Sequence, residues 1–203
     1  AEVIQQYPIW LIEDDIYGFL NDAPISAITN FLPEKSFYIN SLSKAISPGM
    51  RCGYIKAPQS QVAKLAAYIR ATVWLPSPFM FEVAADLIQS GMAFDMAKKQ
   101  TEIARQRQHI ARQILAAYPL SAQPTSYHIW LTLPGNWQAD QFALTAKERG
   151  MLVSSGAYFN VSTRSSQSIR LSLMAISDEA VLRSGLQALA TLLEQNDSAF
   201  IHG

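Results

Sequence analysis

Residues Ile9-Trp10-Leu11-Ile12 form an apolar run that breaks without a spacer into Glu13-Asp14-Asp15. Such a run is too short for a helix with a buried stripe, but it suits a strand covered on both faces, as in a sheet flanked by helices. Its polar exit is then the end at which open α/β sheets bind ligands. The pattern recurs at Phe37-Tyr38-Ile39, which leads into Asn40-Ser41-Leu42-Ser43-Lys44, with a Pro/Asp/Asn-rich stretch from Asn21 to Pro33 in between. After the turn dipeptide Pro48-Gly49, a third strand is predicted over Arg51 to Ala57 and an amphipathic helix over Gln59 to Val73, stopped ahead of Pro76 and Pro78.

The texture then changes. Residues 92–117 read as one long helix, with Met96, Ile103 and Ile110 recurring at sevens, ending near Pro119. Tyr127 to Leu133 and Ser168 to Met174 alternate as half-buried strands do. Between them a helix over Gln138 to Arg149, closed by Gly150, precedes a strand over Met151 to Ser155. The last helix is predicted to start at Ser177 as N-cap, with Asp178 and Glu179 in the first turn. The fold class expected is therefore α/β in residues 1–91, a connecting long helix over 92–118, and a small α+β domain over 119–203. The chain has no initiator Met and enters on the tail of a helix over Ala1 to Tyr7, so a fragment of a longer protein is expected.

Composition excludes several classes of function. With 49% hydrophobic and 16% charged residues the chain is globular and not disordered or collagenous, and 16 Lys+Arg against 16 Asp+Glu leave no basic excess for nucleic acid. Lys98, Arg105 and Arg112 fall at sevens on the long helix, but Asp95 and Glu102 interrupt them, which describes a solvated face. The lone Cys52 cannot form an internal disulfide, and His109, His128 and His202 have no metal-ligand spacing. No apolar run approaches the roughly 20 residues that span a bilayer. A reducing, cytoplasmic setting without metal or membrane is expected.

The residues able to carry chemistry gather at strand exits. Asp14 is followed three residues later by the phenol of Tyr17; by itself such an acidic exit commonly caps a loop. Ser41, Ser43, Lys44 and Arg51 place two hydroxyls, an amine and a guanidinium around the second exit and the Pro-Gly turn. That set suits an anionic ligand, and a desolvated lysine there can do imine chemistry. On the later alternating strand Arg170 faces away from Ile169 and Leu171; by itself an arginine on a strand's polar face is most often simply solvated. Trp130 could line a cleft or pack in the core. Cys52 reads as a small buried strand residue.

Taken together, Asp14, Tyr17, Ser41-Leu42-Ser43-Lys44 and Arg51, in this order and spacing, resemble the pyridoxal 5'-phosphate signature of fold type I, class I/II aminotransferases. The resemblance covers essentially the whole chain. It implies that Lys44 joins the cofactor through its amine and later moves the substrate proton. Asp14 would pair with the pyridine nitrogen, Tyr17 would bond the ring hydroxyl oxygen, Ser41, Ser43 and Arg51 would hold the phosphate, and Arg170 would take a substrate carboxylate. It also implies a partial large domain followed by the small C-terminal domain. The phosphate-cradling Gly/Ser loop, the ring-stacking aromatic and an Asn toward the ring oxygen would lie before residue 1, so the chain alone is expected to be inactive. His128-Ile129-Trp130-Leu131-Thr132-Leu133-Pro134 and the segment Ser43 to Arg51 resemble the aminotransferase-like domain of MocR-type regulators of the GntR superfamily. There a homodimer senses an amino acid or 2-oxo acid, and DNA is bound only through an N-terminal winged helix-turn-helix. A free-standing aminotransferase remains the alternative.

Overall fold

The computed structural model describes residues 1–23, 25–161 and 166–198; His202 lies outside them. The chain divides into two compact units, residues 1–101 and 102–203, with the division inside a long helix.

The first unit carries helix α1 (Glu2–Gln5), strands β1 (Leu11–Asp14), β2 (Ser36–Ser41) and β3 (Gly53–Lys56), helices α2 (Gln59–Thr72) and α3 (Pro78–Gln89), and the start of α4 (Met92–Ile114). The sheet order is β1-β2-β3. β1 runs parallel to β2, pairing Leu11 with Ser36 and Asp14 with Ile39, whereas β3 is antiparallel to β2, with Ser41 opposite Gly53. Parallel pairing brings the C-terminal ends of β1 and β2 side by side.

Three expectations need correction in this unit. Within these residues β1 is covered in part: Ile12 is 66% exposed, and β1 packs on β2 and on the 3-10 turn at Ile28–Phe31. α2 forms over the expected residues yet buries none of them. α3 was not foreseen. Its polar residues Glu82, Asp86 and Gln89 fall at i, i+4 and i+7 on one face and leave the rest of the circumference apolar, so the amphipathic period is present in the sequence, and Pro78 at the first helical position costs no hydrogen bond.

The second unit holds the rest of α4, β4 (Leu120–Ser121), β5 (His128–Thr132), α5 (Ala139–Glu148), β6 (Ser154–Ser155), β7 (Ser168–Ser172) and α6 (Glu179–Ser198). Its antiparallel sheet runs β4-β5-β7-β6. The alternation in β5 and β7 is as expected: Ile129, Leu131, Ile169 and Leu171 are buried and enter one core with Leu115, Phe142 and the inner face of α6. The strand expected over Met151 to Ser155 shortens to Ser154–Ser155. α5 ends as expected at Gly150, whose φ of +80° suits the left-handed closing residue. α6 starts one residue late. Asp178, not Ser177, is the cap: its Oδ1 accepts from the Ala180 N–H at 2.7 Å and the Val181 N–H at 3.1 Å.

A buried arginine ties this unit together. Arg107 of α4 donates to the carbonyls of Leu173 (2.7 Å), Ile176 (2.6 Å) and Ser177 (2.8 Å), fixing the link between β7 and α6. Beside it Gln108 donates to the Ser126 and His128 carbonyls at the entry to β5.

Candidate functional site

Asp14 is the last residue of β1, and its Oδ1 accepts the Ile16 N–H at 3.2 Å, which turns the chain sharply as it leaves the sheet. The following turn delivers Tyr17. Ser41 is the last residue of β2, and its Oγ accepts the Ser43 N–H at 3.3 Å. From there residues 42–46 wind into a turn closed by the Ile46 N–H on the Leu42 carbonyl at 2.9 Å, and Lys44 rides on it. The two segments meet: the Lys44 ammonium nitrogen lies 5.7 Å from the centroid of the Tyr17 ring, within cation–π reach.

The Lys44 turn rests on an apolar base. Met50, Cys52 and Ala84 are buried, with Leu42, Ile46, Met80 and Val83 packed against them. Half of that base comes from α3, so the unforeseen helix supports the loop. Cys52 is buried, as expected, with its Sγ on the Met50 and Met80 carbonyls at 3.3 Å. Ser47 Oγ accepts the Gly49 N–H and caps the 3-10 turn Pro48–Met50, after which Arg51 takes a left-handed φ of 53°. That conformation is uncommon outside glycine; here it redirects the chain from the turn into β3.

Sequence reasoning missed a second set of polar residues. The Tyr38 hydroxyl donates to Asp15 Oδ2 at 2.8 Å and accepts from Asn40 Nδ2 at 2.9 Å, while Asn40 Oδ1 accepts the Ser41 N–H at 2.7 Å. Burial, and then the bond to Asp15, push the Tyr38 phenol above its ordinary pKa. Gly18 leaves room for this arrangement, since a Cβ there would run into the Asp15 carboxylate. The signal available in the sequence was the spacing of Tyr38 and Asn40 by two on one strand, which puts both on one face.

An open groove of about 540 Å³ lies between the sheet and α2, lined by Ile16, Ile39, Ser41, Tyr54, Val62 and Ile69. Its walls are apolar, and of the candidate residues it meets only Ser41, so it does not define the polar site.

In the second unit Arg170 sits on β7 opposite Trp130 of β5 and Ser154 of β6. Its guanidinium carbon stacks 4.7 Å from the Phe159 ring centroid, and Phe159 meets Trp130 edge-on at 5.6 Å. The Arg170 Nε is buried with no hydrogen-bond partner among the described residues. A buried unpaired donor on a cation is costly unless a ligand completes it, and a carboxylate is the group whose geometry matches. Phe159 was not foreseen; it lies on a turn joined to β7 only through the tertiary fold.

Chemically, the first unit offers an amine, a carboxylate, a phenol, two hydroxyls and a guanidinium around adjacent strand ends. That donor set fits an anionic, aldehyde-bearing ring such as pyridoxal phosphate. Among the described residues no group of three or more His, Cys, Asp or Glu could hold a metal ion, and no helix is long and apolar enough to cross a membrane.

Comparison with known proteins gives the family and the fold. The family model for aminotransferase class I and II matches residues 1–189. An uncharacterized HTH-type transcriptional regulator of Bacillus subtilis, YdeF, is 28% identical over 96% of this chain and 42% of its own length. Aromatic-amino-acid aminotransferase 1 of Thermococcus litoralis is 23% identical over 96% of this chain and 48% of its own length. Among solved structures, the α-aminoadipate aminotransferase LysN of Thermus thermophilus, complexed with N-(5'-phosphopyridoxyl)-L-leucine, superposes with a TM-score of 0.87 at 17% identity, over 98% of this chain and 53% of LysN. The fold is thus that of part of a fold type I aminotransferase domain, and the chain spans about half the length of the relatives it matches.

Proposed function

The chain belongs to the aminotransferase class I and II family, and on that footing we propose that it is a pyridoxal phosphate-binding, effector-sensing domain of a MocR-type regulator of the GntR superfamily. The observation that carries the cofactor assignment is the meeting of the two strand exits: Lys44 lies over the Tyr17 ring, and Asp14 and Ser41 end adjacent parallel strands. The kinship with an HTH-type regulator along almost the whole chain supports the regulatory role. DNA contact then belongs to a winged helix-turn-helix outside these residues, and the working form is a homodimer.

When bound, pyridoxal phosphate supplies an aldehyde for covalent attachment and an electron sink for the substrate carbon. The residues of this chain do the rest. Lys44 Nζ is the attachment point and the base that carries the substrate proton. Asp14 holds a positive charge on the ring nitrogen by ion pairing, Tyr17 donates to the ring oxygen, and Ser41, Ser43 and Arg51 bind the phosphate. Arg170, with its plane set by Phe159, orients the carboxylate of an amino acid or 2-oxo acid.

The test is chemical. Incubating the full-length protein with pyridoxal phosphate and reducing with borohydride leaves a stable mass adduct on the Lys44 peptide; an adduct elsewhere, or none, overturns the assignment. Asp14→Ala slows transamination far more than it reduces adduct formation, because attachment needs only the amine. The second reading is a free-standing aminotransferase, favoured by the T. litoralis enzyme's match along the same 96% of the chain and by the filled catalytic positions. Sustained turnover of an amino acid with a 2-oxo acid, without ligand-dependent binding of the whole protein to operator DNA, selects the enzyme.

A further inference from the structure

The faces of β2 divide the polar residues near the strand exits into two sets. Ile39 and Ser41 project to one side and Tyr38 and Asn40 to the other, because side chains alternate along a strand. In the parallel register Asp14 is opposite Ile39, so Asp14 and Ser41 share a face. The next residue, Asp15, continues the ladder through its N–H to the Ile39 carbonyl at 2.9 Å and turns its carboxylate to the reverse face, where Tyr38 meets it.

We propose that Tyr38, with Asp15 and Asn40, is a positioning group that sets the Asp14–Tyr17 loop against the Ser41–Lys44 loop, so that ring-binding and phosphate-binding donors keep one separation. The inference rests on the cofactor reading above. The chain of bonds is continuous: Asn40 Nδ2 donates to the Tyr38 hydroxyl, the Tyr38 hydroxyl donates to Asp15, the Ser41 N–H donates to Asn40 Oδ1, and the Ser43 N–H donates to Ser41 Oγ. It starts one residue after Asp14 and ends one residue before Lys44. Tyr38 contributes both a donor and an acceptor at the middle of this chain, and Phe at that position removes both. None of the three touches the ligand; they act through the residues that do. Gly18 belongs to the same device, because any larger residue there displaces the Asp15 carboxylate.

A ligand that bridges both loops depends on their separation, whereas one held by the second loop alone does not. Pyridoxal phosphate is the first kind of probe and inorganic phosphate the second. Affinity for pyridoxal phosphate is read by absorbance titration, and affinity for inorganic phosphate by its competition with the cofactor. Tyr38→Phe and Asp15→Ala are each expected to weaken pyridoxal phosphate binding about tenfold, the cost of orphaning a half-buried polar partner. The double variant is expected to lose no more than either single one, since both cut the same link. Asp15→Asn, which keeps an acceptor for the phenol, is expected to stay within about threefold of the unsubstituted protein. Phosphate affinity is expected to change less than about twofold throughout.

Unchanged cofactor affinity in Tyr38→Phe overturns the inference and leaves the cofactor site standing, and so does a parallel loss of phosphate affinity. All titrations use the full-length protein, and its failure to bind pyridoxal phosphate when unsubstituted overturns the cofactor reading itself. If Tyr38→Phe does not fold, the contrast between Asp15→Ala and Asp15→Asn decides the matter, because both leave the packed ring in place.

Discussion

Glu13 and Asp14 are adjacent acids with different work. Asp14 ends its strand toward the candidate site, whereas Glu13 points to the other face and accepts the N–H groups of Ile28 (3.0 Å) and Thr29 (2.9 Å), capping a 3-10 turn. Burial alone would raise the Glu13 pKa, but the bonds from Thr29 and Ile28 outweigh it and hold the carboxyl below its ordinary 4.5. A carboxyl depressed in the folded state binds its proton more readily when unfolded. Its stabilising contribution is therefore full above the unfolded value and is lost as pH falls through the folded one. Thermal melts of the protein and of Glu13→Gln are expected to differ by a constant amount at neutral pH and to converge as pH drops below 4.5. A gap that persists into acid contradicts this. Glu13 is only half-buried, so solvent screening keeps the effect small.

At the scale of elements, helix ends and their tethers decide where chains turn. Ser177 and Asp178 are both cap-forming residue types, and sequence alone favours the first because it leaves acids in the first turn. The folded chain chooses Asp178, because the Ser177 carbonyl is held by Arg107 at 2.8 Å and the segment from Leu173 is pinned to α4. Asp178→Ala is expected to cost about 1 kcal/mol in urea unfolding. Ser177→Ala is expected to be nearly neutral; the opposite order would restore Ser177 as the cap. α3 carries a helical period in Glu82, Asp86 and Gln89, and the folded chain shows its use: it supplies Met80, Val83 and Ala84 beneath the Lys44 turn.

Across the whole molecule the two units differ in how they bury apolar surface. Residues 102–203 share one continuous core, with Leu115, Ile129, Phe142, Ile169 and Leu193 at 0% exposure. Residues 1–101 have a smaller core about Met50, Cys52 and Ala84, and they expose large apolar groups such as Trp10, Ile12, Trp74 and Phe79. Phe142→Ala is expected to destabilise the second unit by about 3–5 kcal/mol, read from its urea midpoint, because a fully buried ring leaves a cavity. A loss under 1 kcal/mol would mean that the core collapses around the gap. By itself the sequence determined most of the strands and helices in their order, though not α3 or β4, and the α/β to α+β change, and it nominated Asp14, Tyr17, Ser41, Ser43, Lys44, Arg51 and Arg170 as candidates, because strand exits, turn residues and motif spacing are local properties of a chain. Only the tertiary structure decided the cap of α6, the stack of Phe159 on Arg170 and the bonds joining Asp15, Tyr38 and Asn40. Each of those depends on a register or a packing contact between segments far apart in sequence, and no local pattern encodes which partner a side chain will meet.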